Sequence, residues 1–262
     1  VGVLLSGGLD SSLVVAKAAE FKSGLNTYNI SFSGSNHSQA DSLNAKAIAK
    51  HFGSVHSHIE LDSYDMEFFI SSVGECDDLI NDPSLIPTFL VYKAVSRDCR
   101  VILGGDGADE LFFGYQNAAL LTDKITPSIS SLWPSVLAEH SFSSRLINGK
   151  LALGDKQQRL VRFFEENVDE ETSRTAYGLK MLRFVDVNSF FPTIAGAHSD
   201  LCAMNQSIEL RSPFLDFEIV KLAHRDTASI MALTSTGLSK KTLRMAAQQR
   251  AVDLNVTAID YL

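Results

Sequence analysis

The feature that most constrains this chain is a short loop, Ser6-Gly7-Gly8-Leu9-Asp10-Ser11-Ser12, between two apolar segments. Residues 1–5 are typical of a buried strand, and residues 13–19 are typical of a helix. The two glycines allow strained backbone angles and a close approach to a ligand. Ser11 and Ser12 stand at the start of the predicted helix, where free amide groups and the helix dipole attract anions. The pattern therefore predicts a strand, an anion-binding loop and a helix.

The loop differs from the two best-known nucleotide-binding motifs. No lysine follows its glycines, as a Walker loop requires, and the G-x-G-x-x-G spacing of dinucleotide-binding folds is absent. It carries Asp10 instead, and a carboxylate in an anion loop is best explained by a bridging cation. Mg²⁺ typically binds one or two carboxylates together with substrate phosphates. We therefore predict Asp10 as a Mg²⁺ ligand, with Ser6, Ser11 and the loop amides on phosphate oxygens. The alternative is an ordinary tight turn that caps a helix.

Residues 6–12 resemble the pyrophosphate loop of the ATP pyrophosphatases. That superfamily includes amide-forming synthetases, NAD synthetase, GMP synthetase and tRNA-modifying enzymes. The resemblance implies that ATP is cleaved between its α- and β-phosphates. It also implies that the leaving pyrophosphate is held by Ser6, Gly7, Gly8, Ser11 and Ser12. The net charge of −8 weighs against the tRNA-modifying branch and against any nucleic-acid partner, because a nucleic-acid surface should be basic.

The order of predicted elements indicates an α/β fold with a parallel sheet and helices on both faces, followed by a helical region. In the first half, strands are predicted at 27–32, 55–59 and 101–103, and helices at 40–52, 64–73 and 87–97. From about residue 116 onward no strand is predicted, and helices are expected at 159–168, 174–184, 217–224 and 240–251. We divide the chain into a nucleotide-binding part, 1–125, and a helical part, 126–262, which we expect to form one compact unit.

A second loop follows the predicted strand at 101–103. Residues 104–110 read Gly-Gly-Asp-Gly-Ala-Asp-Glu, with three glycines and three carboxylates at the carboxyl end of a strand. Ligands bind at such ends in open parallel sheets. We predict that Asp109 and Asp10 hold one Mg²⁺ between them. The alternative is a solvated acidic turn in which Asp109 and Glu110 favour a helix start.

Four segments, in order, are similar to the synthetase domain of the glutamine-dependent asparagine synthetase family. The second loop and its continuation to Tyr115 match G-[DE]-G-[AS]-D-E-[LV]-F-x-G-Y, except that Phe113 stands where a glycine is usual. The other three are Asp82-Pro83-Ser84 with Pro87-Thr88, the run from Asp200 to Asp216, and Lys240 to Arg244. The resemblance covers residues 1 to about 250. It implies an adenine nucleotide alpha-hydrolase-like fold.

The resemblance also implies a function and a set of site residues. The expected reaction uses ATP and Mg²⁺ to adenylate a carboxylate, by default aspartate, and ammonia then attacks to give the amide and AMP. Leu4 and Ile30 are expected to flank adenine, and Gly105 to contact the nucleotide through its backbone. Asp106 and Lys240 are the expected catalytic residues. Two other outcomes stay open, namely a relative that adenylates a different carboxylate, as in β-lactam formation or glycan or peptide amidation, and a silent nucleotide-binding module.

Some residues in these segments have two interpretations. Glu209, Arg211 and Asp216 form either a structural ion-pair network, which we favour, or a direct substrate contact. Lys240 and Lys241 either reach phosphate or form a solvated helix end. His56 and His58 share a strand face, but no third metal ligand is evident.

Partners and location are expected as follows. Family members that use glutamine carry an N-terminal glutaminase domain with a leading cysteine, and this sequence lacks one, so we expect a fragment of a longer protein whose ammonia comes from another domain, a partner or solution. A homodimer is compatible with the resemblance. The three scattered cysteines and the lack of a signal peptide or long apolar run favour a reduced cytoplasmic setting without a membrane span.

Overall fold

The computed structural model describes residues 1–33, 36–61, 84–116, 118, 145–147, 150–152, 155–167 and 174–253. These residues belong to two compact units. The first comprises Val1–Asp106, Ile194–Asp216 and Leu243–Leu262, and the second comprises Gly107–Thr193 and Phe217–Thr242. The boundary predicted at residue 125 lies outside the described residues and stays a prediction, as does the helix predicted at 64–73.

The elements alternate between strand and helix in the first part of the chain. In order they are β1 (Gly2–Leu4), α1 (Leu9–Ala18), β2 (Asn26–Phe32), α2 (Asn36–His51), β3 (Val55–Leu61), α3 (Leu85–Val95), β4 (Val101–Leu103), α4 (Ala108–Phe112), β5 (Arg145–Ile147), β6 (Lys150–Ala152), α5 (Asp155–Asn167), α6 (Arg174–Val185), a π-helix (Asp186–Ala195), α7 (Gly196–Asn205), β7 (Glu209–Arg211), a 3₁₀ turn (Pro213–Leu215), α8 (Phe217–Arg225), α9 (Thr227–Thr236) and α10 (Lys241–Asp253).

The first unit is built on a five-stranded sheet in the order β3-β2-β1-β4-β7, and every neighbouring pair is parallel. Helices α3 and α7 cover one face, where Phe89 and Cys202 pack in a cluster with Tyr28 and Ile102. On β1, Val3 points to the opposite face from Leu4 and is also fully buried. Because successive strand residues point to opposite faces, both faces of the sheet are covered. The predicted α/β class with a parallel sheet and helices on both faces is confirmed.

The prediction that no strand follows residue 116 is wrong. β7 joins the sheet beside β4, with Val101 opposite Glu209 and Ile102 opposite Leu210, and β5 pairs with β6 as an antiparallel hairpin. Three-residue strands are too short to show an alternating pattern, and Glu-Leu-Arg has only one apolar residue. Pairing with an existing sheet edge, rather than local sequence, makes β7 a strand.

The second unit is mainly helical, and its core contains Phe113, Phe164, Tyr177 and Leu179. Phe113, which replaces the usual glycine, has a left-handed backbone with φ of 60°. A non-glycine residue there costs roughly 1–2 kcal/mol. The ring is buried, and the guanidinium carbon of buried Arg183 lies 4.3 Å from its centroid. Burial and this cation–π contact offset the backbone strain. Among the described residues, the helices are all too short or too polar to span a membrane.

Candidate functional site

The sheet order places a topological switch point between β1 and β4. From β1 the chain proceeds outward to β2 and β3 on one side, while β4 and β7 lie on the other. Open parallel sheets bind ligands outside the carboxyl ends of strands at such a point. The loop after β1 (Ser6–Gly8) and the loop after β4 (Gly104–Asp106) begin there, side by side, because Val3 pairs with Leu103. We call these the first loop and the second loop.

Hydroxyl groups hold the first loop in shape. The Ser11 Oγ accepts a hydrogen bond from the Ser6 backbone amide at 3.2 Å and lies 3.0 Å from the Ser6 Oγ. The hydroxyls of Ser11 and Ser12 both donate to the Gly8 carbonyl, at 3.2 and 2.6 Å. Ser11 and Ser12 are buried, whereas Ser6 and Gly8 are exposed. The two buried serines therefore pre-form the loop, and Ser6 and Gly8 face solvent.

Gly7 is required by both conformation and space. Its φ is +93°, in the region that favours glycine, and a Cβ at this position would collide with the backbone carbonyl oxygen of Asp41 on α2. Helix α1 starts at Leu9, so Asp10 lies in its first turn, where a carboxylate is favoured by the helix dipole. The Asp10 Oδ1 is shielded from solvent.

The two loops touch each other. A Cβ on Gly105 would lie 3.3 Å from both the Asp10 Cβ and the Ser11 backbone nitrogen, so this glycine permits the close approach. Within the first unit, the structure therefore brings together the predicted nucleotide contacts Ser6, Asp10 and Gly105. A backbone surface without side chains at two strand ends is suited to polyphosphate oxygens.

A cavity of about 460 Å³ opens beside these loops. Its walls include Leu4 and Ile30, the two residues expected to flank adenine, together with Val91 and Tyr92 from α3. Its polar lining comes from the first loop, α2, α3, the second loop and α7, through Ser6, Asp41, Thr88, Asp106 and Ser199. An apolar slot with a few convergent polar groups is the usual form of a small-molecule site.

Asp106 enters this cavity with a defined orientation. The Ser199 Oγ on α7 donates a hydrogen bond to the Asp106 Oδ1 at 3.1 Å. Burial raises the pKa of the neighbouring Tyr92, and the charge of Asp106 raises it further, so Tyr92 stays neutral. Sequence reasoning missed Ser199, although it directly precedes Asp200 of the third similar segment, because a lone serine in a helix has no distinguishing pattern.

Asp109 and Lys240, both in the second unit, form an ion pair. The Lys240 Nζ lies 2.5 Å from the Asp109 Oδ1, and the lysine side chain is only 13% exposed. Lys240 has a left-handed backbone with φ of 54°, and its amide donates to the Phe112 carbonyl. A Cβ on Gly114 would collide with both side chains of the pair. Lys240 is therefore not a solvated helix end, and α10 begins one residue later.

Glu110 has a different environment from Asp109. It is almost fully buried and accepts a hydrogen bond of 2.6 Å from the Tyr115 hydroxyl. Burial raises the pKa of Glu110 to about 7; the hydrogen bond from Tyr115 opposes this shift, and the charges of Asp109 and Asp186 add to it. Glu110 therefore titrates near neutral pH.

The remaining candidates are placed as follows. Glu209 and Arg211 form an exposed ion pair of 2.9 Å on β7, with side chains 57% and 62% exposed. His58 hydrogen-bonds to Asn29 and Ser31, and His56 to Thr27, so each imidazole has partners on β2. Among the described residues, no group of three His, Cys, Asp or Glu side chains forms a metal cluster. Asp10 belongs to the first unit and Asp109 to the second, and their sharing of a metal stays a prediction.

Comparison with known proteins agrees with the motifs. The profile of the family described as Asparagine synthase matches residues 1–254. The chain is 28% identical to asparagine synthetase [glutamine-hydrolyzing] 1 of Bacillus subtilis over 95% of its length and 43% of the relative's. It is 26% identical to a putative asparagine synthetase [glutamine-hydrolyzing] of Mycobacterium bovis, covering 94% of this chain and 42% of the relative.

A vertebrate relative matches a shorter part of the chain. The asparagine synthetase [glutamine-hydrolyzing] of Gallus gallus is 37% identical over 44% of this chain and 22% of its own length. The chain thus spans less than half the length of these curated relatives. The family profile nevertheless covers nearly all of it, which confirms the resemblance drawn from the four segments and the expectation of a ligase-type family. The chain belongs to the asparagine synthase family.

Proposed function

We propose that this chain carries out ATP-dependent amide synthesis as the synthetase part of a longer protein. A carboxylate, by default aspartate, is adenylated with release of pyrophosphate, and ammonia then displaces AMP to form the amide. The family supports ATP-dependent amide synthesis in general. The observation that carries the proposal is the junction of the first and second loops at the switch point, beside a cavity that contains Asp106.

The chemistry explains why such a site consists mainly of positioning groups. A carboxylate carbon is a poor electrophile, and transfer of AMP gives it a good leaving group. The oxygen of the carboxylate attacks the α-phosphorus, the bond to the bridging oxygen breaks, and pyrophosphate departs with the electron pair. Catalysis then depends on holding the reactants together and stabilising charge on the phosphates.

The first unit supplies the proposed nucleotide contacts. Leu4 and Ile30 would enclose adenine in the cavity, and the Gly105 backbone would approach the nucleotide. The first loop and the start of α1, from Ser6 to Ser12, would hold the departing pyrophosphate with their amides and the exposed Ser6 hydroxyl. Asp106 would act on the acceptor side, either as a general base toward the attacking ammonia or as a site for ammonium.

Asp10 and Asp109, in the first turns of α1 and α4, are the residues that we propose would hold Mg²⁺. When bound, the metal would neutralise charge on the phosphates. Asp109 is ion-paired with Lys240, which is largely buried. We propose that Lys240, which lies beside Asp109, would supply positive charge to the phosphates.

The ammonia source is proposed by analogy with the relatives, whose names state that they hydrolyse glutamine. Because this chain spans about 43% of the first relative, a glutaminase domain in the rest of the protein or in a partner subunit is the simplest source. Free ammonia should replace it in a test, since the second half-reaction needs only the nucleophile.

The test is a pyrophosphate-release assay on the full-length protein with Mg-ATP, ammonia and aspartate. Release of pyrophosphate and AMP together with asparagine supports the proposal, whereas release of ADP contradicts it. An acceptor panel that includes other amino acids, peptides and glycan carboxylates separates aspartate from the alternative acceptors. An increased melting temperature with Mg-ATP, but no turnover with any acceptor, would indicate a silent nucleotide-binding module.

Two variants make this test specific. Asp106→Asn should lower amide formation strongly while leaving the thermal shift by Mg-ATP in place, because the carboxylate is proposed to act on the acceptor side. Asp98→Asn is the matched control. Asp98 is also an aspartate of the first unit, but it is exposed, accepts from the Tyr28 hydroxyl and does not line the cavity.

A further inference from the structure

We propose that Ser199 is a positioning residue for Asp106, a role that rests on the proposed function. Ser199 is buried, lines the cavity and donates to the Asp106 Oδ1 at 3.1 Å. A hydrogen bond to a carboxylate is stronger than one between neutral groups. It therefore limits how far the Asp106 side chain can rotate.

The other carboxylate oxygen lies against Gly104. A Cβ on Gly104 would collide with the Asp106 Oδ2, so the missing side chain of Gly104 leaves the space that this oxygen needs. Gly104 itself is fixed, because its amide donates to the Arg211 carbonyl on β7. Asp106 is thus held by a donor on one oxygen, and its other oxygen depends on the space beside Gly104.

Helix α7 keeps Ser199 within reach. The preceding residue, His198, is buried, and its Nε2 lies 3.3 Å from the Ser84 Oγ and 3.5 Å from the Thr88 Oγ1. One turn later, Cys202 packs in the apolar cluster with Leu85 of α3. Contacts on both sides of Ser199 therefore fix α7 against α3. This also gives a role to Ser84 and Thr88, which sequence comparison singled out without a function.

These contacts indicate that Ser199 acts on the reaction through Asp106. Ser199 does not meet the reacting atoms; it orients the group that does. A general base must lie within hydrogen-bond distance of the proton it removes, and small misplacements of such a group cost rate more than binding. Loss of Ser199 should therefore lower kcat for the acceptor reaction and leave the KM for ATP unchanged.

The experiment compares Ser199→Ala and Ser199→Thr in the full-length protein. We expect Ser199→Ala to lower kcat roughly tenfold, the effect of losing one hydrogen bond to a charged group. Ser199→Thr keeps the hydroxyl and should recover most of the rate. Gly104→Ala, which displaces the other carboxylate oxygen, should reproduce the kcat loss by an independent route.

A control on the same helix separates positioning from stability. Cys202→Ser places a hydroxyl in the apolar cluster but keeps the size of the side chain, so α7 should stay packed against α3. It should lower the melting temperature with little change in kcat. If Ser199→Ala and Cys202→Ser lose activity in proportion to their stability, or if Ser199→Thr fails to recover what Ser199→Ala loses, the positioning role is wrong.

A crystallographic readout does not depend on turnover. The Asp106 carboxylate should hold one orientation in the unsubstituted protein and should rotate or show several orientations in Ser199→Ala. An unmoved carboxylate in Ser199→Ala overturns the inference even if the protein is an active synthetase. Conversely, a rotated carboxylate in a protein that shows no acceptor-dependent pyrophosphate release supports the positioning while rejecting the proposed function.

Discussion

The first loop and the acidic run, which comprises residues 106–110, are stabilised in different ways. The first loop presents amides and hydroxyls, and the buried serines that follow it hydrogen-bond to the loop. The acidic run places three carboxylates within five residues, and each has a different partner. Asp106 bonds to Ser199, Asp109 pairs with Lys240, and Glu110 accepts from Tyr115. The first loop is shaped by its own backbone and hydroxyl groups, whereas each of the three neighbouring carboxylates has its own partner.

The largest expected effect concerns Gly7, whose backbone conformation the first loop requires. Gly7→Ala imposes a side chain at φ +93° and a collision with the Asp41 carbonyl. We expect a loss of stability on the order of 1–3 kcal/mol and loss of the melting-temperature increase that Mg-ATP produces. Thermal unfolding with and without Mg-ATP measures both.

Gly24→Ala is the matched control for that substitution. Gly24 also has positive φ, +62°, but a Cβ there meets nothing within 4 Å. It should cost about 1 kcal/mol from backbone strain and leave the response to Mg-ATP intact. Equal loss of nucleotide binding in both variants would show that general destabilisation, not the loop, is responsible.

The next effect tests the charged pair of the acidic run. Lys240→Ala removes a largely buried ammonium that is 2.5 Å from Asp109. We expect kcat for pyrophosphate release to fall roughly 100-fold, as when a donor that stabilises transition-state charge is lost. Lys241→Ala, one residue away, should change kcat less than threefold or so. A similar loss in both variants would contradict a specific role for Lys240.

A smaller effect concerns the pH dependence of stability. Glu110 has a pKa of about 7 when folded, above its value in an unfolded chain, so the folded state binds more protons between about pH 4.5 and 7. The free energy of unfolding should therefore decrease as pH rises through this range, by on the order of 2–3 kcal/mol. Glu110→Gln keeps an acceptor for Tyr115 and should flatten this dependence. Urea unfolding at pH 5, 6, 7 and 8 tests it, and an unchanged slope would exclude Glu110 as its origin.

The smallest effect concerns the exposed pair on β7. Arg211 and Glu209 face solvent, where ion pairs contribute little. Arg211→Ala should therefore leave the urea midpoint unchanged, and Glu209→Ala should behave in the same way. If either variant loses pyrophosphate release while remaining stable, the pair contacts substrate, which is the alternative interpretation of these residues.

The helices predicted within the described residues and the long strands match the structure because their apolar patterns are long, whereas α7 and α9 were not predicted. Helix α3 spans Leu85–Val95 against a predicted 87–97, and α8 spans Phe217–Arg225 against 217–224. The short strands after residue 116 were not predicted. β7, for example, is a strand because it pairs with β4 and not because of its own sequence. Among the site residues, glycine-rich loops were identifiable from sequence, but Ser199 and Asp41 were not, since their roles come from elements distant along the chain.

The sequence was sufficient to indicate the family, the α/β class, the two loops at strand ends and the need for glycine in these loops. Each of these depends on short-range order along the chain, which residue type and spacing encode directly. Folding decided the partners of the three carboxylates, the strand identity of β7 and the walls of the cavity. These depend on contacts between residues tens of positions apart, such as Asp106 with Ser199, and such contacts exist only when the sheet and its covering helices have assembled.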